Sequence, residues 1–147
     1  MKATFKGRVI IGGSVTGRAV VSSASFNTLA TYTRSAITHS RTAVCYDKDN
    51  RDLYKKVISG KIICLPQTIG STSGGLVIQA IAALGLAPLA FLFSEKIDSL
   101  AASGVLLADI WTGKRIVTID RLGDEILKTV RDDDMLEISE DGTVMLM

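Results

Sequence analysis

The chain has 147 residues, 47% of them hydrophobic and 22% charged, and a formal net charge of +2. That balance excludes a disordered chain. With aromatics at 5% and no basic stripe, it also argues against a nucleic-acid-binding surface.

One domain spanning residues 1–147 is expected at this length, which suffices to bury a core. Residues 4–11 read as a strand stopped by Gly12-Gly13, and residues 17–22 as a second strand. Lys2, Lys6 and Arg8 interrupt the N-terminus, so no secretory leader is read there. Residues 23–42 are rich in Ser and Thr with weak periodicity and are expected to form a long ordered loop. Residues 42–46 then read as a short strand and 47–50 as a turn. Residues 51–58 read as a short helix with Leu53, Tyr54 and Val57 on its apolar face.

Residues 60–65 read as a buried strand, a β-branched run bounded by Gly60 and Pro66. A helix is expected from Leu76 to Leu84, with Leu76, Val77, Ala80, Ile81 and Leu84 at helical spacing and Gly85 as its stop. The apolar stretch 76–93 is long enough to raise a membrane span. Gln79, Gly85 and Pro88 punctuate it, however, and a helix, a turn and a strand over 89–93 account for it without a membrane. Residues 100–111 follow as a helix with Leu100, Val105, Ala108 and Trp111 on its core face, ended by Gly113. Residues 116–119 are a strand and 123–130 a short helix. Residues 135–138 and 144–146 form a hairpin turned by Asp141-Gly142. Strands at both ends and strand–helix alternation between them give an α/β fold with a mixed, barrel-like sheet and flanking helices.

The stretch between the strand 60–65 and the following helix carries the chemical interest. Gly70-Ser71-Thr72-Ser73-Gly74-Gly75 combines three glycines and three hydroxyls at a helix N-terminus. Backbone N–H groups can approach a ligand there, and the helix end favours an anion. The loop is not a P-loop, because Leu76-Val77 stand where Lys-Ser/Thr is required. It is not a nucleophile elbow either, since Thr72 is centred between Gly70 and Gly74. The plain alternative is a helix cap. His39, the single histidine, is a further candidate; a solvated loop histidine is its simpler account. Cys45 and Cys64 fit no metal spacing and read as reduced core thiols of a cytoplasmic protein, so no metal site is expected in this chain.

The order of these features resembles the small, swivel-type subunit of aconitase X. Gly7-Arg8-Val9-Ile10 and the Gly12 to Gly17 spacing open the match. Ser59-Gly60-Lys61-Ile62-Ile63-Cys64-Leu65-Pro66 and Gly70-Ser71-Thr72-Ser73-Gly74 form its specific part. Leu86-Ala87-Pro88-Leu89-Ala90, Asp134-Met135-Leu136 and Asp141-Gly142-Thr143-Val144 continue it. The resemblance implies a swivelling β/β/α domain that closes over an iron–sulfur site held by an aconitase X large subunit. It implies dehydration of a small hydroxy acid, with Ser71 as catalytic base and Gly70, Thr72, Ser73 and Gly74 binding substrate. In aconitase an arginine follows the serine pair; Gly74 occupies that place here, so backbone amides or the large subunit must complement the substrate's charge. Bacterial members dehydrate cis-3-hydroxy-L-proline to Δ1-pyrroline-2-carboxylate; archaeal relatives act on mevalonate 5-phosphate. Archaeal small subunits tend to carry an aromatic–Gly-Gly segment and a His-Pro-Leu-Tyr segment. This chain has Ser25-Phe26-Asn27 and Arg51-Asp52-Leu53-Tyr54 in those places, which tilts the expectation to hydroxyproline. The competing expectations are a swivelling carrier module phosphorylated on His39, and a non-catalytic assembly domain whose loop hydroxyls only cap a helix.

Overall fold

A computed structural model describes residues 2–147. Ten strands and four helices are found among them: β1 (Thr4–Lys6), β2 (Arg8–Ile11), β3 (Val15–Val21), β4 (Phe26–Asn27), α1 (Thr28–Ile37), β5 (Ile62–Leu65), β6 (Thr68–Ile69), α2 (Gly74–Ala83), β7 (Ala90–Phe93), α3 (Ser99–Thr112), β8 (Val117–Asp120), α4 (Glu125–Thr129), β9 (Met135–Ile138) and β10 (Thr143–Leu146). Eight strands form one sheet in the order β1-β10-β9-β3-β5-β7-β8-β2. Strands β3, β5, β7 and β8 run parallel, and the strands outside them are antiparallel. The two edge strands, β1 and β2, are consecutive in the chain and meet at Gly7, so the sheet curls into a nearly closed barrel. Gly7 is packed too tightly for a side chain: a Cβ there would lie 2.4 Å from the Asp120 carbonyl oxygen.

The parallel strands are buried on both faces, which explains their uninterrupted apolar runs. Along β5 and β7, residues alternate between two cores. Ile63, Leu65, Phe91 and Phe93 face the first core, which includes Ile78 and Ile81 of α2 and Val105 and Ala108 of α3. Ile62, Cys64, Ala90 and Leu92 face the second, with Ile126 of α4 and Leu136, Ile138 and Val144 of the terminal hairpin. The expected α/β barrel-like fold, the strands 60–65 and 89–93 and the hairpin turned at Gly142 (φ 88°) are all present. Among the described residues no helix is long and apolar enough to cross a membrane; residues 76–93 are the helix, turn and strand that their punctuation indicated.

Five expectations are corrected. Strand 4–11 is broken at Gly7 into β1 and β2. The Ser/Thr-rich stretch 23–42 contains a ten-residue helix, α1, capped by Asn27, whose Oδ1 accepts Ala30 N–H at 3.1 Å. Its buried face is Thr28, Thr31, Tyr32 and Ser35; this is helical spacing carried by hydroxyls, which a search for apolar periodicity passes over. The strand 42–46 is reduced to a single bridge between Val44 and Val57. The helix 51–58 is a set of turns stopped at Lys55, which has φ 66° and donates its N–H to the Cys45 carbonyl. The faces of two helices also differ. Trp111 is 73% exposed rather than core, and Leu76 and Leu84 of the α2 region are 63% and 48% exposed, while Ile78, Ile81 and Ala82 point inward.

One buried charge holds the barrel's closing edge. Arg8 on β2 donates Nε and Nη2 to the Asp120 carboxylate at 2.9 and 2.7 Å, and Ile97 N–H donates to the same group at 2.8 Å. Burial alone would raise the Asp120 carboxyl; the Arg8 and Ile97 hydrogen bonds outweigh it and hold the group below the usual carboxylate range. A depressed carboxyl stabilises the fold above its unfolded-state pKa, and the contribution fades as pH falls through the folded value. Asp120→Asn is therefore expected to lower stability at pH 7 by about 1–3 kcal/mol. The gap to the native chain should close below about pH 4, as read by urea unfolding across pH.

Burial pushes the Cys64 thiol up to about 12 and raises that of Cys45. Neither cysteine should react with a thiol-specific chromogenic reagent at pH 8 in the folded chain, and both should react in urea.

Candidate functional site

The loop 70–75 is launched by a small second sheet. β4 and β6 pair in parallel, with Phe26 opposite Thr68 and Asn27 opposite Ile69. Each runs into a helix N-terminus: β4 directly into α1, and β6 through the loop into α2. A third helix joins them. The Asp98 carboxylate caps α3 through Ala101 N–H at 3.0 Å and reaches across to β6, accepting Thr68 N–H at 2.9 Å and Thr68 Oγ1–H at 2.7 Å. Three helix N-termini thus gather around one two-residue strand, and their positive ends reinforce one another there.

α1 and α3 are capped by Asn27 and Asp98. α2 is the exception: its N-cap residue Ser73 makes no side-chain capping bond. The loop hydroxyls are turned to each other instead. Ser71 Oγ lies 2.8 Å from Ser73 Oγ, and Ser73 N–H donates to Ser71 Oγ at 3.2 Å. Ser71 Oγ thus closes the turn that leads into α2, as a cap would, while its contact with Ser73 Oγ goes beyond what a cap requires. An ionised Ser71 would accept hydrogen bonds from both Ser73 groups, which favours the charged form.

Gly70, Ser71 and Thr72 are exposed, Ser73 is half-buried and Gly74 is buried beside Thr28 of α1. The five residues expected to form a site are thus contiguous on one surface. A cavity of about 720 Å³ is lined by Arg8, Gln67, Lys96, Asp98 and Leu106 among others, and does not include residues 70–74. Around the loop stand exposed apolar residues instead: Leu29 in the first turn of α1 (37% exposed), Ile69 just before the loop (53%) and Leu76 in the first turn of α2 (63%). From Ile62 through Ser94 the chain carries no charged residue. An anion-favouring loop rimmed by uncharged apolar surface is suited to being covered by another chain.

His39 is not part of this constellation. It lies just past the C-terminal end of α1, exposed and with φ 52°, whereas the loop adjoins the helix's N-terminal end. Ten helical residues, roughly 15 Å at the usual rise per residue, separate the two ends. The residues missed from sequence were Asn27, Thr68 and Asp98. Asp98 carries a readable signal, an acidic residue directly before an apolar-periodic helix, but nothing in the sequence indicates that it also grips Thr68.

Comparison with known proteins agrees with this architecture. The aconitase X swivel domain family model matches residues 4–146. The phosphomevalonate dehydratase small subunit of Thermococcus onnurineus is 31% identical over 106 residues, covering 72% of this chain and 75% of that protein. The phosphomevalonate dehydratase small subunit of Methanocella arvoryzae is 30% identical over 139 residues, covering 95% and 93%. The crystal structure of Thermococcus kodakaraensis aconitase X in its holo-form superposes with a TM-score of 0.82 at 25% identity, over 99% of this chain and 98% of that one. A sheet curled into a nearly closed barrel at Gly7, a hydroxyl loop at a helix start and a family match over nearly every residue lead to one conclusion: this chain belongs to the aconitase X swivel domain family.

Proposed function

We propose that the chain is the small subunit of a dehydratase acting on a small anionic hydroxy acid, with Ser71 as the base that removes the proton. The observation that carries this reading is the Ser71–Ser73 hydroxyl pair at the exposed start of α2. Dehydration takes a proton from the carbon beside a carboxylate and expels hydroxide from the next carbon, and the C–H electron pair becomes the new double bond. A serine serves as base only when ionised. Ser73 N–H, the Ser73 hydroxyl and the α2 N-terminus supply the stabilisation, and exclusion of water by a covering chain strengthens each of them. Gly70, Thr72, Ser73 and Gly74 border the place where the substrate would sit, and the first-turn amides of α2 beyond Gly74, whose own N–H donates to the Ser71 carbonyl, would complement its negative charge in place of an arginine.

The iron–sulfur cluster implied by the resemblance finds no ligand set in this chain. Cys45 and Cys64 lie in the two different cores. Among the described residues no three His, Cys, Asp or Glu gather to hold a metal. A cluster would belong to the large subunit that the names of the relatives presuppose. Two buried free thiols suit a reducing, cytoplasmic setting.

For the substrate, the names of the relatives favour mevalonate 5-phosphate. The expectation of cis-3-hydroxy-L-proline rested on Ser25-Phe26-Asn27 and Arg51-Asp52-Leu53-Tyr54 standing in place of the archaeal segments, and the names of the relatives give it no support. A phosphorylated substrate also fits the convergence of helix N-termini, since phosphate and carboxylate are both anions that such ends bind.

The test is reconstitution with the large subunit and assay of both compounds. Mevalonate 5-phosphate should be dehydrated, and the small subunit alone should be inactive. Turnover of hydroxyproline in its place would reverse the substrate assignment. Ser71→Ala should lower kcat by about 100-fold or more with assembly and Tm unchanged; near-normal turnover would remove Ser71 from the mechanism. Ser73→Ala, which leaves the backbone donor in place, should cost roughly ten- to a hundredfold.

A further inference from the structure

Asn27 does more in this structure than a cap requires. It is the last residue of β4, opposite Ile69, and the N-cap of α1. The bond from Ala30 N–H to its Oδ1 orients the carboxamide, committing the oxygen to the helix. The same group lies against Gly70. A Cβ at residue 70 would stand 2.6 Å from Asn27 Oδ1, 2.9 Å from Cγ and 3.0 Å from Nδ2. Gly70 also has φ 106°, so both its conformation and the carboxamide demand glycine. Among the described residues no acceptor meets Nδ2. Two amide N–H donors are therefore held beside the residue that precedes Ser71.

An N-cap needs only an acceptor, and Asp or Ser serves as well as Asn. The donors are what Asn adds. We infer that Asn27 is a substrate-binding residue, whose Nδ2 donates to an oxyanion of the hydroxy acid held at the Ser71 loop. This rests on the function proposed above. The oxyanion is a carboxylate or a phosphate, which share this chemistry. An uncharged donor suits the site, because it adds hydrogen bonding without introducing a cation that would pair with ionised Ser71.

Asn27→Asp separates the two roles. It keeps the cap acceptor and replaces the donors by negative charge. In the reconstituted complex assayed with mevalonate 5-phosphate, Asn27→Asp should leave Tm and assembly unchanged and raise KM by about tenfold or more. Asn27→Ser, which also retains a cap, should raise KM less. Wild-type KM and kcat in Asn27→Asp would overturn the inference and leave Asn27 a cap. Inhibition by inorganic phosphate and by acetate distinguishes the two oxyanions. The inhibitor weakened by Asn27→Asp identifies the group bound there, and an unchanged response to both counts against the inference.

If the native complex turns over no substrate, the function proposed above fails, and binding is read directly on the chain. Titration with inorganic phosphate and with acetate should move the Asn27 side-chain amide resonances in 15N-correlated NMR spectra. Resonances that stay in place with both anions would overturn the inference.

Discussion

The Asp98 carboxylate is the knot on which the working surface depends. It closes the first turn of α3 and simultaneously accepts the backbone and hydroxyl donors of Thr68. Thr68 begins the strand that pairs with β4. Through β4 the carboxylate is tied to the start of α1, and through β6 to the serine loop and the start of α2. Three helices are registered at one end by a single side chain, and α2 and α3 stay packed beyond it, Gly75 against Leu100 and Gly104 against Ile78. The cost of gathering several positive helix ends is offset by placing a carboxylate and a carboxamide oxygen among them. At the third end, that of α2, only the Ser71 hydroxyl stands in that role, accepting Ser73 N–H.

The two cores divide the labour of the molecule. The barrel interior, closed by Arg8 and Asp120 at one edge and by the terminal hairpin at the other, is a rigid support with no chemistry assigned to it. The opposite face of the parallel strands carries the helices, and the serine loop stands at their common end. The parallel strands β5 and β7 belong to both, because their side chains alternate between the two cores. A change in either core is therefore felt at the loop through a strand only four residues long.

Much of this was legible in the sequence where apolar residues reported the structure. β5, β7 and the terminal hairpin were marked by β-branched runs and turn residues, and the serine loop by an excess of glycine and hydroxyl groups over what capping needs. α1 was not legible, because the side that packs inward is made of Thr28, Thr31, Tyr32 and Ser35. Trp111 misled in the opposite direction: a large aromatic residue at core spacing lies in the last turn of α3, where it is largely exposed. The turn at 51–55 was misread because Asn50 caps a helical start, its Oδ1 accepting Leu53 N–H, that breaks off at Lys55, where φ of 66° turns the N–H to the Cys45 carbonyl. Asn27 escaped notice for a different reason. Its meaning comes from Gly70, a residue distant in sequence, and only a parallel strand pairing brings the two together.

The absence of charge from Ile62 through Ser94 has a consequence for how a cell must handle this polypeptide. The chain displays Leu76 and Leu84 on a helix that carries no ionic group of its own to repel another copy. Free chain at high concentration would tend to clump through that bare apolar helix surface.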